Sequence, residues 1–293
     1  MDKSFDFKEQ GATITKEEYE LLTELIQDEE RLEVYGFRAM QKMKELMNEN
    51  VEKTYRQRGE PSVLVECSGD LEFRPIKVYE DGRRYFGQWN KVTNIREGIG
   101  INARLIDVSH QFAIAIAKFA ADKFAGKGLY IFSNGSYYEG DLKDRYAHGY
   151  GKIVSKKGFE YEGQWENDLW HGLGTEVLRN GDVYRGEFVR HEREGEGVLV
   201  DKSGVRYEGE FRSGKKHGYG VQVDCEKTEF YANFEYDLVE GLCWIVKMDG
   251  AMFRGKWDVE DEMTGIYTDT KGRELKVPSE VSSGTVHAIF NLH

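Results

Sequence analysis

The chain has only three cysteines, Cys67, Cys225 and Cys243, at spacings that fit neither a metal knuckle nor a paired disulfide framework. A reduced compartment is the expectation. No run of 18 apolar residues is present, and the first thirty residues hold neither an apolar leader core nor an arginine-rich, acid-poor stretch. A soluble, cytoplasmic protein is therefore expected. Nor is there an excess of base: the formal charge is -12, which argues against non-specific binding to nucleic acid and against adsorption to anionic lipid. With 39% hydrophobic and 32% charged residues, aromatic side chains at 13% must carry most of the burial.

What the chain does have is a phase. An aromatic residue opens a strand-like motif at Tyr138, Tyr161, Tyr184, Tyr207, Phe230 and Phe253, each 23 residues after the last. Two residues on stand Gly140, Gly163, Gly186, Gly209, Ala232 and Gly255, and two further on Leu142, Trp165, Phe188, Phe211, Phe234 and Trp257. A second glycine pair keeps the phase at Gly149/Gly151, Gly172/Gly174, Gly195/Gly197 and Gly218/Gly220, as does a turn glycine at Gly135, Gly158, Gly181 and Gly204. Looser copies precede these: Ala115, Ala117 and Phe119 with Gly126 and Gly128, and Tyr85, Gly87 and Trp89 with Gly98 and Gly100. Self-similarity at a fixed period marks a repeat array, here of about eight copies over residues 81–277.

These residues resemble the MORN repeat family, most closely in Tyr161-Glu162-Gly163-Gln164-Trp165 through His171-Gly172-Leu173-Gly174 to Asn180-Gly181, and again in Tyr207-Glu208-Gly209-Glu210-Phe211 with His217-Gly218-Tyr219-Gly220. The resemblance spans roughly two thirds of the chain and speaks to architecture more than activity. Physical reading agrees with it. Side chains alternate along a strand, so Tyr161, Gly163 and Trp165 share one face while Glu162 and Gln164 take the other. The glycine between two aromatics leaves room for a ring, expected from a neighbouring copy. Two short strands and two tight turns, such as Asn134-Gly135 and Asn180-Gly181, use up one period. The fold class expected is an all-β, single-layer antiparallel meander of β-hairpins, a solenoid-like ribbon about 75 Å long at about 4.8 Å per strand.

Outside the array, residues 1–60 read as a helical segment: Thr15 and Glu18 form a capping box, and Tyr19, Leu22, Leu25, Ile26, Leu32, Met40, Met43, Met47 and Val51 fall near helical spacing. This segment either caps the start of the array or presents its methionines to a partner. Residues 61–80 read as lead-in strands, including Val63–Cys67 and Phe73–Val78, and residues 278–293 as a last strand or tail.

Chemistry is hard to find. His148, His171 and His217 recur with the repeat, and copies about 10 Å apart cannot share one ion. The same spacing separates Glu139, Glu162 and Glu208 too far for an acid/base pair. Gly126-Lys127-Gly128 is too short for a phosphate loop. Catalytic residues, cofactor and metal are all expected to be none. The resemblance places such histidines in a structural role, and although the family's repeats also stand beside catalytic domains, only 16 residues follow Val277 here.

By that resemblance, the expected function is a non-catalytic scaffold of a cytoskeletal assembly, most specifically the ciliary axoneme as in radial-spoke heads. Its partners would be other proteins of a large assembly or further copies of itself, with no nucleic acid. An adaptor on phosphoinositide membranes is the alternative, suggested by Arg83-Arg84, Lys156-Lys157 and Lys215-Lys216 but opposed by the overall acidity. A regulatory subunit of an enzyme is the second. Departures from the repeat point to where a partner or the N-terminal segment docks. Ala115 removes a ring from the column, so docking is expected near Ile114 to Phe124 with Phe112 and Phe119 as anchors.

Overall fold

A computed structural model of the chain describes residues 69–105, 112–132, 134–257 and 263–277. Among them are 18 β-strands and no helix. The expected helical segment with Met40, Met43 and Met47, the Val63–Cys67 lead-in and residues 278–293 lie outside the described residues.

Two compact units divide the chain, Met1–Tyr137 and Tyr138–His293. In the first, β1 (Leu71–Val78), β2 (Arg84–Asn90), β3 (Arg96–Leu105), β4 (Phe112–Ala120) and β5 (Lys123–Ile131) pair antiparallel in sequence order. β1 is the expected lead-in strand, and its register shifts between Arg74 and Lys77, around Pro75, which has no N–H for the ladder.

The second unit continues with β6 (Tyr137–Lys143), β7 (Tyr146–Val154), β8 (Glu160–Glu166), β9 (Leu169–Val177), β10 (Val183–Val189), β11 (Glu192–Val200), β12 (Arg206–Arg212) and β13 (Lys215–Val223). It ends with β14 (Glu229–Glu235), β15 (Leu238–Val246), β16 (Met252–Trp257), β17 (Met263–Thr268) and β18 (Glu274–Val277). From β7 onward each strand pairs antiparallel with its successor. The hairpin meander expected from the 23-residue phase is thus present in both units.

Burial follows the alternation. Along β8, Tyr161, Gly163 and Trp165 are buried while Glu162, Gln164 and Glu166 are exposed. Tyr138, Tyr184 and Tyr207 are buried in the same way, as is Trp257 near the end of the array. We call the side carrying these rings the ring face. Edge-on contacts link each copy to the next: Tyr161 to Phe188 at 5.1 Å, Tyr184 to Phe211 at 4.8 Å and Tyr207 to Phe234 at 5.1 Å. Each such pair contributes about 0.5–1.5 kcal/mol beyond its buried area.

The ring that fills the glycine gap comes from the same copy, not from its neighbour as expected. A Cβ at Gly174 would lie 2.6 Å from the Tyr161 ring, and one at Gly163 would lie 2.5 Å from the Gly174 Cα. Tyr161 lies flat across its own paired glycines, and its hydroxyl donates to the Gln164 carbonyl at 2.7 Å. Tyr85, Tyr138, Tyr184 and Tyr207 repeat the bond over Gly87/Gly100, Gly140/Gly151, Gly186/Gly197 and Gly209/Gly220. Where Phe230 replaces the tyrosine no hydroxyl needs that space, and Ala232 and Cys243 stand opposite each other in place of the glycines.

Cys243 therefore takes a glycine's position and is buried, and that burial pushes its thiol up to about 12, whereas Cys225 is exposed. In a Cys67→Ser background, a thiol reagent at pH 8 should label Cys225 rapidly and Cys243 only after denaturation. Rapid labelling of two thiols in the folded protein would show the β15 register to be wrong.

The turns divide into two kinds. Asn180-Gly181 sits between β9 and β10, where Gly181 at φ 97° closes a loop held by Leu178 N–H to Asp182 carbonyl at 2.8 Å. Several hairpin tips within copies are two-residue turns with both residues left-handed: Asn167-Asp168 at 51° and 69°, Arg190-His191 at 51° and 73°, Tyr236-Asp237 at 51° and 75°. This conformation matches the twist of the flanking strands.

Candidate protein-binding face

On the ring face, the chain covers its own rings. In three copies the position nine residues after the opening tyrosine lies over that ring: Trp170 stacks on Tyr161 at 4.4 Å, the Arg193 guanidinium lies 4.9 Å above Tyr184, and the Lys216 ammonium 4.7 Å above Tyr207. Arg193 is further held by Glu176 through two nitrogens, at 2.8 and 2.7 Å. Lys216 donates to Gln222 at 2.8 Å. Sequence columns conceal this layer because tryptophan, arginine and lysine do the same job through different chemistry.

The same position joins successive copies. In four copies the second residue of the hairpin tip donates its N–H to the carbonyl at this position in the copy before: Asp168 to Ala147 at 2.9 Å, His191 to Trp170 at 3.1 Å, Gly214 to Arg193 at 3.0 Å and Asp237 to Lys216 at 2.9 Å. Asp168 and Asp237 return a side-chain acceptor to the N–H of Ala147 and Lys216. In the first unit the long gap after Trp89 is closed by Asn90, and Arg96 takes the covering role, bonded to Asp122 at 2.8 Å with its guanidinium 5.3 Å from Tyr85.

A bulge was also concealed. Gln164 accepts a bond from Leu173 N–H at 2.8 Å, beside left-handed Gly172. Gln88 does the same for Ile99 and Asp141 for Tyr150. In these three copies the residue after the motif glycine is therefore an acceptor for the bulge and not merely an outward polar group.

Of the expected anchors, Phe119 does not face solvent. Phe119 is 1% exposed, its ring 5.0 Å from Tyr85 and 4.9 Å from Phe124, and Ala115 is 3% exposed, so the site of the missing ring is closed. Phe112 opens β4. Of the basic pairs, Arg83 is held by Asp81 at 2.5 Å, and Lys216 lies on its ring. The histidines are not gathered. His171 and His217 each lie 3.7 Å from a glutamate, Glu166 and Glu235, and the buried Nδ1 of His148 and of His217 makes no hydrogen bond among the described residues. Among the described residues, no group of three or more histidine, cysteine or acidic side chains is placed to hold a metal.

What does face solvent is a stripe on the opposite face of the second unit. Tyr150, Leu173, Tyr219 and Leu242 occupy one phase, at exposures of 52%, 64%, 54% and 64%, with Glu196 between Leu173 and Tyr219. Trp244 is also exposed there, and Glu162 and Glu208 flank the stripe. Single exposed apolar residues are ordinary, but here they repeat in phase along one face, which makes that face the candidate for binding.

Comparisons with known proteins follow the repeat. No curated protein matches the chain. Among solved structures, the SAS-4 (dCPAP) TCP domain in complex with a proline-rich motif of Ana2 (dSTIL) of Drosophila melanogaster is 10% identical, covering 52% of this chain and 83% of that one at a TM-score of 0.36. A catalytically inactive virginiamycin B lyase from Staphylococcus aureus with quinupristin is 10% identical, covering 76% and 89% at a TM-score of 0.16. Both likenesses are too slight to bear on function. The MORN repeat profile matches residues 118–137, 161–183, 184–206 and 207–225, and so identifies four copies of this array as MORN repeats.

Proposed function

We propose that this chain is a non-catalytic scaffold that binds other proteins through the exposed face of its second unit. In its most specific form, the assembly is cytoskeletal, the ciliary axoneme with its radial spokes. The observation that carries the reading is the phased stripe of Tyr150, Leu173, Tyr219 and Leu242. A sheet built of equivalent hairpins offers the same kind of contact at each copy, which suits a protein that must grip a long partner or several at once. The ring face lends itself less to this, because Trp170, Arg193 and Lys216 already cover it.

The test is a folded variant carrying Tyr150→Glu, Leu173→Glu and Leu242→Glu. All three side chains are exposed, so the melting temperature should change little. Incorporation into isolated axonemes should fall at least tenfold relative to the wild-type chain. Undiminished incorporation of the folded variant would rule out the stripe, and absence of the wild-type chain from axonemes would rule out that location.

A further inference from the structure

The first unit buries both faces of its sheet, and the second does not. On its ring face stand Tyr85, Trp89, Ala115, Ala117 and Phe119. The opposite face has one register row of Phe86, Ile101, Ile116 and Leu129, and a second of Ala103, Ile114 and Ile131. Every one of these side chains is 0–6% exposed. The corresponding row of the second unit runs Glu162, Thr175, Arg185, Val198 and Glu208, none of them buried. Where the repeat phase puts Ile116 in the first unit, it puts Glu139, Glu162, Arg185 and Glu208 in the second.

A single sheet layer cannot bring isoleucines on its far side to such low exposure, because side chains standing off a sheet shield only one another's flanks. The strands β1–β5 all lie in the one sheet, so the covering layer comes from elsewhere. We infer that residues 15–57 of the same chain form that layer. They belong to the stretch that leads directly into β1, which pairs with β2, the strand of Phe86. The apolar face extends to the point of entry, since Phe73 on β1 stacks on Phe86 at 5.9 Å. Tyr19, Leu22, Leu25, Ile26, Met40, Met43 and Met47 supply an apolar stripe of complementary character. The departures from the repeat in the first unit thus serve an intramolecular core, and docking takes place on the face opposite Phe119.

The test places photo-crosslinking benzoylphenylalanine at Phe86 in the full chain, and in a second variant at Ile116. Irradiation should join each position to a peptide within residues 15–57 of the same molecule. Capture of a second copy, of another segment or of neither, in a protein that melts like wild type, would overturn the assignment. Should both variants misfold, full-length Leu22→Asp/Leu25→Asp/Ile26→Asp read by hydrogen exchange decides. Exchange in β2–β5 should quicken at least tenfold while β8–β13 stay unchanged, and unaltered exchange in β2–β5 would refute the covering role.

Discussion

Gly163→Val should unfold the copy around it, at a cost of about 3 kcal/mol or more, the upper end of what overpacking does. A Cβ at this position meets the Gly174 Cα at 2.5 Å, the Leu173 carbonyl at 2.6 Å and the Tyr161 hydroxyl at 2.8 Å. Two of these three atoms are backbone of the paired strand, and they cannot yield without opening the β8–β9 ladder. Gln164→Val is the milder change, though not a neutral one. It removes the acceptor of the Leu173 N–H, and that exposed donor can turn to water, so the loss is about 1 kcal/mol. Thermal melting of the two variants should therefore rank Gly163→Val far below Gln164→Val, and equal midpoints would show the assigned register to be wrong.

The second large effect is alkaline unfolding. Burial raises the hydroxyl pKa of Tyr85, Tyr138, Tyr161, Tyr184 and Tyr207 above the ordinary 10.0, to about 12 for Tyr207. The sign is fixed by which state holds the proton. Above pH 10 the unfolded tyrosine ionises while the folded one stays protonated, so rising pH favours the unfolded chain. The stabilising contribution of Tyr207 is fully present below pH 10 and is lost as pH climbs through about 12. Five tyrosines acting in the same direction should make urea resistance fall steeply between pH 10 and 12. Tyr207→Phe should shallow that slope while costing about 0.5–1.5 kcal/mol at neutral pH for the lost bond to the Glu210 carbonyl. A slope that tyrosine-to-phenylalanine variants leave unchanged would mean the hydroxyls are not held inside the fold.

Much of this architecture was legible because a repeat multiplies weak signals. One Tyr-any-Gly-any-Trp run says little, but the same run returning in phase fixes strand, face and hairpin together, and the burial of Tyr161, Gly163 and Trp165 follows it. Glycine turns such as Asn180-Gly181 were legible for the same reason. Tips such as Arg190-His191 were not, because they lack the Asn-Gly or Asp-Gly pair that marks a two-residue hairpin turn. Strand twist and the bond to the preceding copy impose left-handed backbone on residues that seldom choose it. The layer over the rings was hidden by the variety of residues filling it. The vacancy at Ala115 suggested an opening on the ring face, whereas Ala115 and Phe119 are buried, and the departures that stand out are Phe86 and Ile116, the latter at a position where the repeat elsewhere places charge.

The claim that matters most is that partners meet the exposed face of the second unit. Cross-linking mass spectrometry of the native complex, with an amine-reactive reagent, tests it directly. Lys152 and Lys256 stand on that face, in strands β7 and β16, beside Glu162 and Leu242. The account predicts that these two lysines link to partner proteins and that the Tyr150→Glu/Leu173→Glu/Leu242→Glu variant loses those links. Partner links confined to other lysines, and unchanged in the variant, would contradict it.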